Sequence, residues 1–191
     1  MLFQIDVRHL LDPEMELKTF SLALTGLAEA VIHEAVRICA GDIPEKAPGR
    51  FTVCGLGKFG GREMGYASDL ELLFVHEGPS AYFETVAHRV VDCIEARAKG
   101  IFHIDMRLRP HGDAGPWSTA FDQLEAYYAP DGLAAPFERQ ALIKLRWVGG
   151  DEELGRRVES VRDAFSYSGA PWNWERSEEH TSELQSHHDL V

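Results

Sequence analysis

What most constrains this chain is the spacing of glycines and carboxylates in residues 51–76, FTVCGLGKFGGREMGYASDLELLFVH. Two apolar runs, FTVCGL and LELLFVH, have the length and residue types of short strands. Between them Gly55, Gly57 and Gly60 spell G-x-G-x-x-G, the usual mark of a dinucleotide-binding turn. That turn needs a crossover helix and then a parallel strand, a connection of a dozen or more residues. Only GREMGYAS separates the last fingerprint glycine from the next strand, and Gly65 interrupts it. The dinucleotide reading is therefore disfavoured.

A second reading starts from Asp69 and Glu71 at the head of LELLFVH. Strand side chains alternate between faces, so these two acids share one face while Leu70, Leu72 and Phe74 point into a core. A third candidate strand, IFHIDMRLR (residues 101–109), repeats the pattern. Phe102, Ile104, Met106 and Leu108 form its apolar face; His103, Asp105, Arg107 and Arg109 form the other. Asp69, Glu71 and Asp105 would then converge. Three clustered carboxylates resist ionising together unless cations relieve them. Two Mg²⁺ ions would do so, and would clamp the attacking and leaving oxygens of a displacement at phosphorus. The glycines then read as a phosphate cradle. Gly60 and Gly61 let amides at the head of a short helix approach phosphate closely. Ser68 is placed to donate a hydrogen bond to the same group, and Lys58 to reach it. Arg107 and Arg109, on the face of Asp105, are candidates for triphosphate or product contact.

The rest of the chain reads mainly as helix. Asp12 and Pro13 form an N-cap and N1 pair for a helix over residues 14–40, closed by Gly41. Residues 80–100 are amphipathic and end at Gly100. PHGDAGP (residues 110–116) is a turn-rich loop, and helices are expected over residues 120–128, 135–147 and 151–165. The expected fold class is α+β, a mixed β-sheet flanked by helices with additional helices at both ends. Residues 1–50 form an N-terminal helical segment and loop, and residues 51–175 the main domain. Residues 176–191, RSEEHTSELQSHHDLV, resemble translated adapter read-through and are set aside as a non-native or disordered tail, which would make the chain a fragment.

Composition excludes several classes. The net charge is −12, so non-specific attraction to nucleic acid or to an anionic membrane is not expected. The three cysteines (Cys39, Cys54, Cys93) form no C-x-x-C pair, which argues against a zinc knuckle or a disulfide framework and favours a cytoplasmic setting. No apolar run approaches the length of a membrane span.

At finer grain, three strings carry a family resemblance: GLGKFGGREMGYASDLELLFV, IFHIDMRLRPHGDAGP and FERQALIKLRWVGGD. Together, over residues 51–151, they resemble the glutamine synthetase adenylyltransferase (glutamate–ammonia ligase adenylyltransferase) family of the nucleotidyltransferase superfamily. The resemblance implies a nucleotidyltransferase-type sheet, Mg²⁺ and ATP. It also implies transfer of AMP to a tyrosine hydroxyl of glutamine synthetase, or its phosphorolytic removal, with the PII signal protein as a regulatory partner. Carried over by position, Asp69 and Glu71 take the place of the metal-binding pair, Asp105 the third carboxylate, and Gly60, Gly61 and Ser68 the nucleotide cradle. Two departures stand out. Glu71 is a methylene longer than the Asp common at that position, and one such domain is present where the family carries two. The alternative is a nucleotide-sensing module of the same fold without turnover. Arg139 and Lys144 are further candidates to border the nucleotide, against the plainer reading of a solvated helix face.

Overall fold

Strand β2 (Leu70–Glu77) is buried along almost its whole length and organises the rest of the molecule. The computed structural model describes residues 1–12, 14–41, 49–95 and 102–166. On one edge of β2 lies β1 (Arg50–Gly55), antiparallel, paired from Arg50↔Glu77 to Gly55↔Leu72. This overturns the dinucleotide reading, because the strand after a G-x-G-x-x-G turn must return parallel to the first. Strand β5 (Arg146–Gly150) pairs antiparallel with the far edge of β1. On the opposite edge of β2 two short strands follow one another, both parallel to it. They are β3 (Ile104–Asp105), at Leu70↔Ile104 and Glu71↔Asp105, and β4 (Ser118–Ala120), starting at Phe74↔Ser118. The result is a five-stranded mixed sheet flanked by helices, an α+β fold of the expected kind.

Alternation along β2 divides two cores. Leu70, Leu72 and Phe74 face one side with Phe51, Val53, Ile104 and Val148. Over them lie helices α2 (Leu17–Gly41) and α4 (Ser80–Glu95). Helix α2 presents Phe20, Leu24, Ala28, Ile32, Ala35, Val36 and Cys39, a buried stripe at spacings of three and four that marks one helix face. Leu73 and Val75 face the other side with Cys54, where α5 (Phe121–Tyr128) and α7 (Glu152–Ser166) bring Leu124, Tyr128, Leu154 and Val158. Burying each large apolar side chain contributes roughly 2 kcal/mol. A one-residue slip of β2 would exchange its two faces and drive Glu71 into the first core. The two cores thus fix the register that places the carboxylates.

Several elements depart from expectation. Residues 2–11 form a separate helix, α1 (Leu2–Leu11), whose Leu2 and Ile5 pack against the first core. Asp12 therefore ends α1 instead of starting α2, and its carboxylate accepts the Glu14 amide (3.1 Å) across the turn between them. Pro13 and Gly100 lie outside the described residues, as do residues 167–191 with the tail. The expected helix over residues 135–147 is broken into α6 (Pro136–Ala141), a 3₁₀ turn at Leu142–Lys144, and strand β5. The expected nine-residue strand at 101–109 narrows to Ile104–Asp105. Among the described residues no helix is long and apolar enough to cross a membrane.

Candidate active site

Strand β1 runs through Leu56 into a single helical turn, α3 (Gly57–Gly60). The Leu56 amide donates to the Glu71 carbonyl (2.8 Å), which carries the β1–β2 pairing one step past the strand. Gly57 has φ +47°, a conformation side-chain-bearing residues rarely adopt, and a Cβ there would overlap the Glu71 carboxylate. Glu71 lies over this gap and accepts the Lys58 backbone N–H at Oε2 (3.1 Å).

Gly60 and Gly61 do not serve as expected. They close α3, and their amides donate to the Leu56 carbonyl (2.7 Å) and the Gly57 carbonyl (3.0 Å), so neither is free for phosphate. The lack of a Cβ matters at Gly60 for packing, since an added one would meet the Lys144 and Gly55 carbonyls. Arg146 of β5 locks this end, with Nε 3.0 Å from the Gly60 carbonyl and Nη2 3.3 Å from that of Phe59. The same Nη2 lies 2.7 Å from Glu29 of α2.

Asp69 stands immediately before β2, half exposed, 3.6 Å from the His103 ring. Ser68 precedes it in a tight turn: its amide donates to the Gly65 carbonyl (3.2 Å) and its Oγ accepts the Gly65 N–H (2.9 Å). An accepting hydroxyl still has its own proton to donate. Lys58, Ser68, Asp69 and Glu71 line one cleft of about 530 Å³, within the range of small-ligand sites. Its far wall comes from Leu108 and from α6 and the following turn, with Gln140, Ile143 and Lys144. Lys144 Nζ pairs with Glu63 at 2.6 Å.

Asp105 is paired in register with Glu71, so the two project from the same sheet face on neighbouring strands. Its carboxylate nonetheless lines a different cleft, of about 370 Å³, with Arg107, Arg109 and Trp117. Arg107 holds it there: Nε is 3.1 Å from each carboxylate oxygen, and Nη2 is 2.6 Å from Oδ2. The hydrogen bonds from Arg107 keep the Asp105 carboxyl below the ordinary carboxylate range, against a smaller opposing effect of burial.

The expected common face of Asp105, Arg107 and Arg109 is not formed, because the chain turns after Asp105. The Arg109 amide donates to the Met106 carbonyl (3.3 Å), and Arg109 is 5% exposed. Its guanidinium is taken up by the carbonyls of Met106 (2.6 Å), Gly115 (3.2 Å) and Asp113 (3.3 Å), so it ties down a loop and does not face the Asp69 cleft. Leu108 leaves the apolar row of Phe102, Ile104 and Met106 and packs against the second core.

Whether these residues suit Mg²⁺ follows from the donors present. Among the described residues no three His, Cys, Asp or Glu side chains are grouped so as to hold a metal ion. Mg²⁺ is commonly held by one or two carboxylates with substrate phosphates and water completing six oxygens. Asp69 and Glu71 on one cleft wall fit that pattern. A site using Asp105 as well requires Arg107 to release it.

Of the other candidates, Lys144 reaches the cleft. Arg139 instead donates to the carbonyls of Tyr128 (2.5 Å), Ala129 (2.6 Å) and Ala134 (3.2 Å). Tyr66 and Gln140 also line the cleft and were not singled out in the sequence. For Tyr66 the signal was an aromatic residue in an otherwise small and polar turn, GYAS.

A model of the family described as glutamate-ammonia ligase adenylyltransferase matches residues 1–161. Among curated proteins, the chain is similar to the bifunctional glutamine synthetase adenylyltransferase/adenylyl-removing enzyme of Thioalkalivibrio sulfidiphilus, with 39% identity over 71% of this chain and 16% of the relative. The enzymes of the same name from Streptomyces avermitilis and Nitrosococcus oceani are 37% and 34% identical, over 75% and 80% of this chain and 14% and 17% of theirs. The chain thus spans well under a fifth of the length of these relatives.

Proposed function

The chain belongs to the glutamate–ammonia ligase adenylyltransferase family, and from that premise we propose that its cleft binds ATP and carries out Mg²⁺-dependent nucleotidyl transfer on glutamine synthetase. The observation that carries the reading is the meeting of Asp69 and Glu71 on one wall of a ligand-sized cleft that also holds Lys58, Ser68 and Lys144. Acids beside cations suit a polyphosphate that arrives with a divalent ion.

Under this reading Asp69 and Glu71 hold Mg²⁺, which when bound neutralises phosphate oxygens and so favours attack at phosphorus. A second ion would need Asp105. Lys58 and Lys144 draw in the phosphates, and the Ser68 hydroxyl donates to a phosphate oxygen. In the adenylylating direction a tyrosine oxygen of glutamine synthetase bonds to the α-phosphorus, and its hydroxyl proton passes to solvent. The bond from that phosphorus to the bridging oxygen breaks, and pyrophosphate leaves. In the opposite direction inorganic phosphate attacks the phosphorus of the AMP–tyrosine linkage, releasing ADP and restoring the hydroxyl. Asp105 is a poor proton acceptor here, because a carboxyl held below its ordinary range by Arg107 has little affinity for a proton at neutral pH.

The same Arg107–Asp105 pair favours one other reading, a nucleotide-sensing module that binds ATP without turnover. The test is incubation with Mg²⁺, α-labelled ATP and unmodified glutamine synthetase, with phosphate and adenylylated glutamine synthetase in parallel. Label on the protein, or ADP released from it, is expected. ATP binding with neither conversion would establish the sensor, and no ATP binding would end both readings.

A further inference from the structure

We propose that Tyr66 is the platform on which the nucleotide base stacks, and that helix α1 holds it in place through His9. The inference rests on the reading of the cleft as a nucleotide site and adds the part that recognises the base. Tyr66 is the one aromatic side chain among the residues lining the 530 Å³ cleft, two and three positions before Ser68 and Asp69. It is 49% exposed, yet its position is firmly set. The His9 Nδ1 lies 2.6 Å from its hydroxyl. The fully buried Phe20 of α2 packs against its ring with centroids 4.6 Å apart, and His9 stacks on Phe20 at 4.2 Å and 15°.

Two rings, His9 of α1 and Phe20 of α2, therefore back one tyrosine whose exposed part adjoins the open cleft. The turn that carries it is shaped for this, since Ala67, the next residue, has φ +53°. Such a ring has little freedom left to lose when a ligand arrives, which favours binding. Its hydroxyl is already partnered, so what it offers a ligand is a flat apolar surface. Every nucleobase has a matching face, and stacking on an aromatic side chain is a general source of affinity. The lysines, the acids and Ser68 suit the phosphates and the metal, while Gln140 and the aliphatic Leu108 and Ile143 provide no aromatic face. A nucleoside triphosphate can use both parts of this lining; an inorganic polyphosphate leaves Tyr66 without a partner.

The test measures binding of ATP and of inorganic tripolyphosphate to the 191-residue chain in Mg²⁺, by calorimetry. Tyr66→Ala is expected to weaken ATP by roughly tenfold and to leave tripolyphosphate within about twofold. Tyr66→Phe, which keeps the ring and its packing on Phe20 but gives up the His9 contact, should lose less ATP affinity than Tyr66→Ala, and Tyr66→Leu, which keeps bulk without a flat face, should behave like Tyr66→Ala. Equal ATP binding by wild type and Tyr66→Ala, or parallel loss of both ligands, would overturn the stacking role while leaving the nucleotide reading intact. Failure of the wild type to bind ATP at all would overturn the nucleotide reading itself. Thermal melting separates a lost ligand contact from a lost fold: loss of ATP affinity in a Tyr66→Leu variant that melts like the wild type supports the platform.

Discussion

Arg107 engages both carboxylate oxygens of Asp105 with its guanidinium and donates its own backbone N–H to Oδ1 at 2.8 Å. The two residues are only two positions apart, so the chain doubles back on itself directly after β3. The acid that would complete a three-carboxylate site is thereby already neutralised within the protein. The pair decides how far the fold as it stands resembles a working metal site.

Removing Arg107 should free Asp105. In Arg107→Ala the Asp105 carboxyl is expected to return toward its ordinary pKa of 3.8, and carbon NMR of that carboxyl should show tighter Mg²⁺ binding. The stability effect has a definite sign. Because the native pKa is lowered, the stabilisation is present in full above the unfolded value and is lost as pH falls through the native one. The urea midpoints of wild type and variant should therefore differ at pH 7 and converge under strong acid.

Asp69 is half exposed, with the His103 ring 3.6 Å away, so its carboxylate contributes little to folding. Asp69→Asn is expected to lower nucleotidyl transfer by on the order of 10²–10³-fold, as when one essential charge-stabilising group is removed. Its melting temperature should stay close to that of the wild type. Retained activity would refute the assignment of the acid to the metal.

Arg109 should behave in the opposite way. Its buried fork satisfies three carbonyls, a geometry that a lysine ammonium cannot reproduce. Arg109→Lys is expected to destabilise the fold by about 1–3 kcal/mol in chemical denaturation. ATP affinity should be unchanged. A selective loss of ATP binding would restore Arg109 to the nucleotide site.

A buried imidazole should make the protein sensitive to mild acid. His76 is fully buried on β2, with Nδ1 2.7 Å from Ser118 Oγ and Nε2 3.1 Å from Ser80 Oγ. Burial, the largest influence, keeps its pKa below the ordinary 6.5. The unfolded chain thus takes up the proton first. Stability is full above about pH 6.5 and declines as pH falls below it toward the native value. Urea midpoints from pH 8 to pH 5 should show the decline, and His76→Gln should flatten that slope.

How much of this could be read in the residues depends on whether local pattern or tertiary contact decides each element. β1 and β2 were legible because their apolar runs are bounded by polar turns, and the shared face of Asp69 and Glu71 followed from alternation alone. Helices α5 and α7 were legible from their periodicity. β5 was not. The helical pattern runs on through Arg146 and Trp147, and Arg146–Gly150 becomes a strand only because β1 offers an open edge for it. Residues 101–109 alternate as a strand throughout, yet pairing stops at Asp105, where the Arg109 side chain pulls the chain inward. The bonding of the Gly60 and Gly61 amides was not legible because the sequence marks a glycine-rich turn without saying which of its amides the turn itself uses. The part of Tyr66 was hidden because His9 lies 57 residues away in the chain.

The left-handed backbone at Gly57 has one further consequence. The additional methylene of Glu71 and the absent methyl of Gly57 are complementary shapes, the acid extending into space that only a glycine leaves open. Neither is free to vary alone. Shortening the acid to aspartate would withdraw it from the Lys58 amide, and enlarging the glycine would evict the acid from the cleft wall. The two positions should therefore show strong non-additivity in a double-mutant cycle, one steric unit divided between a turn and a strand.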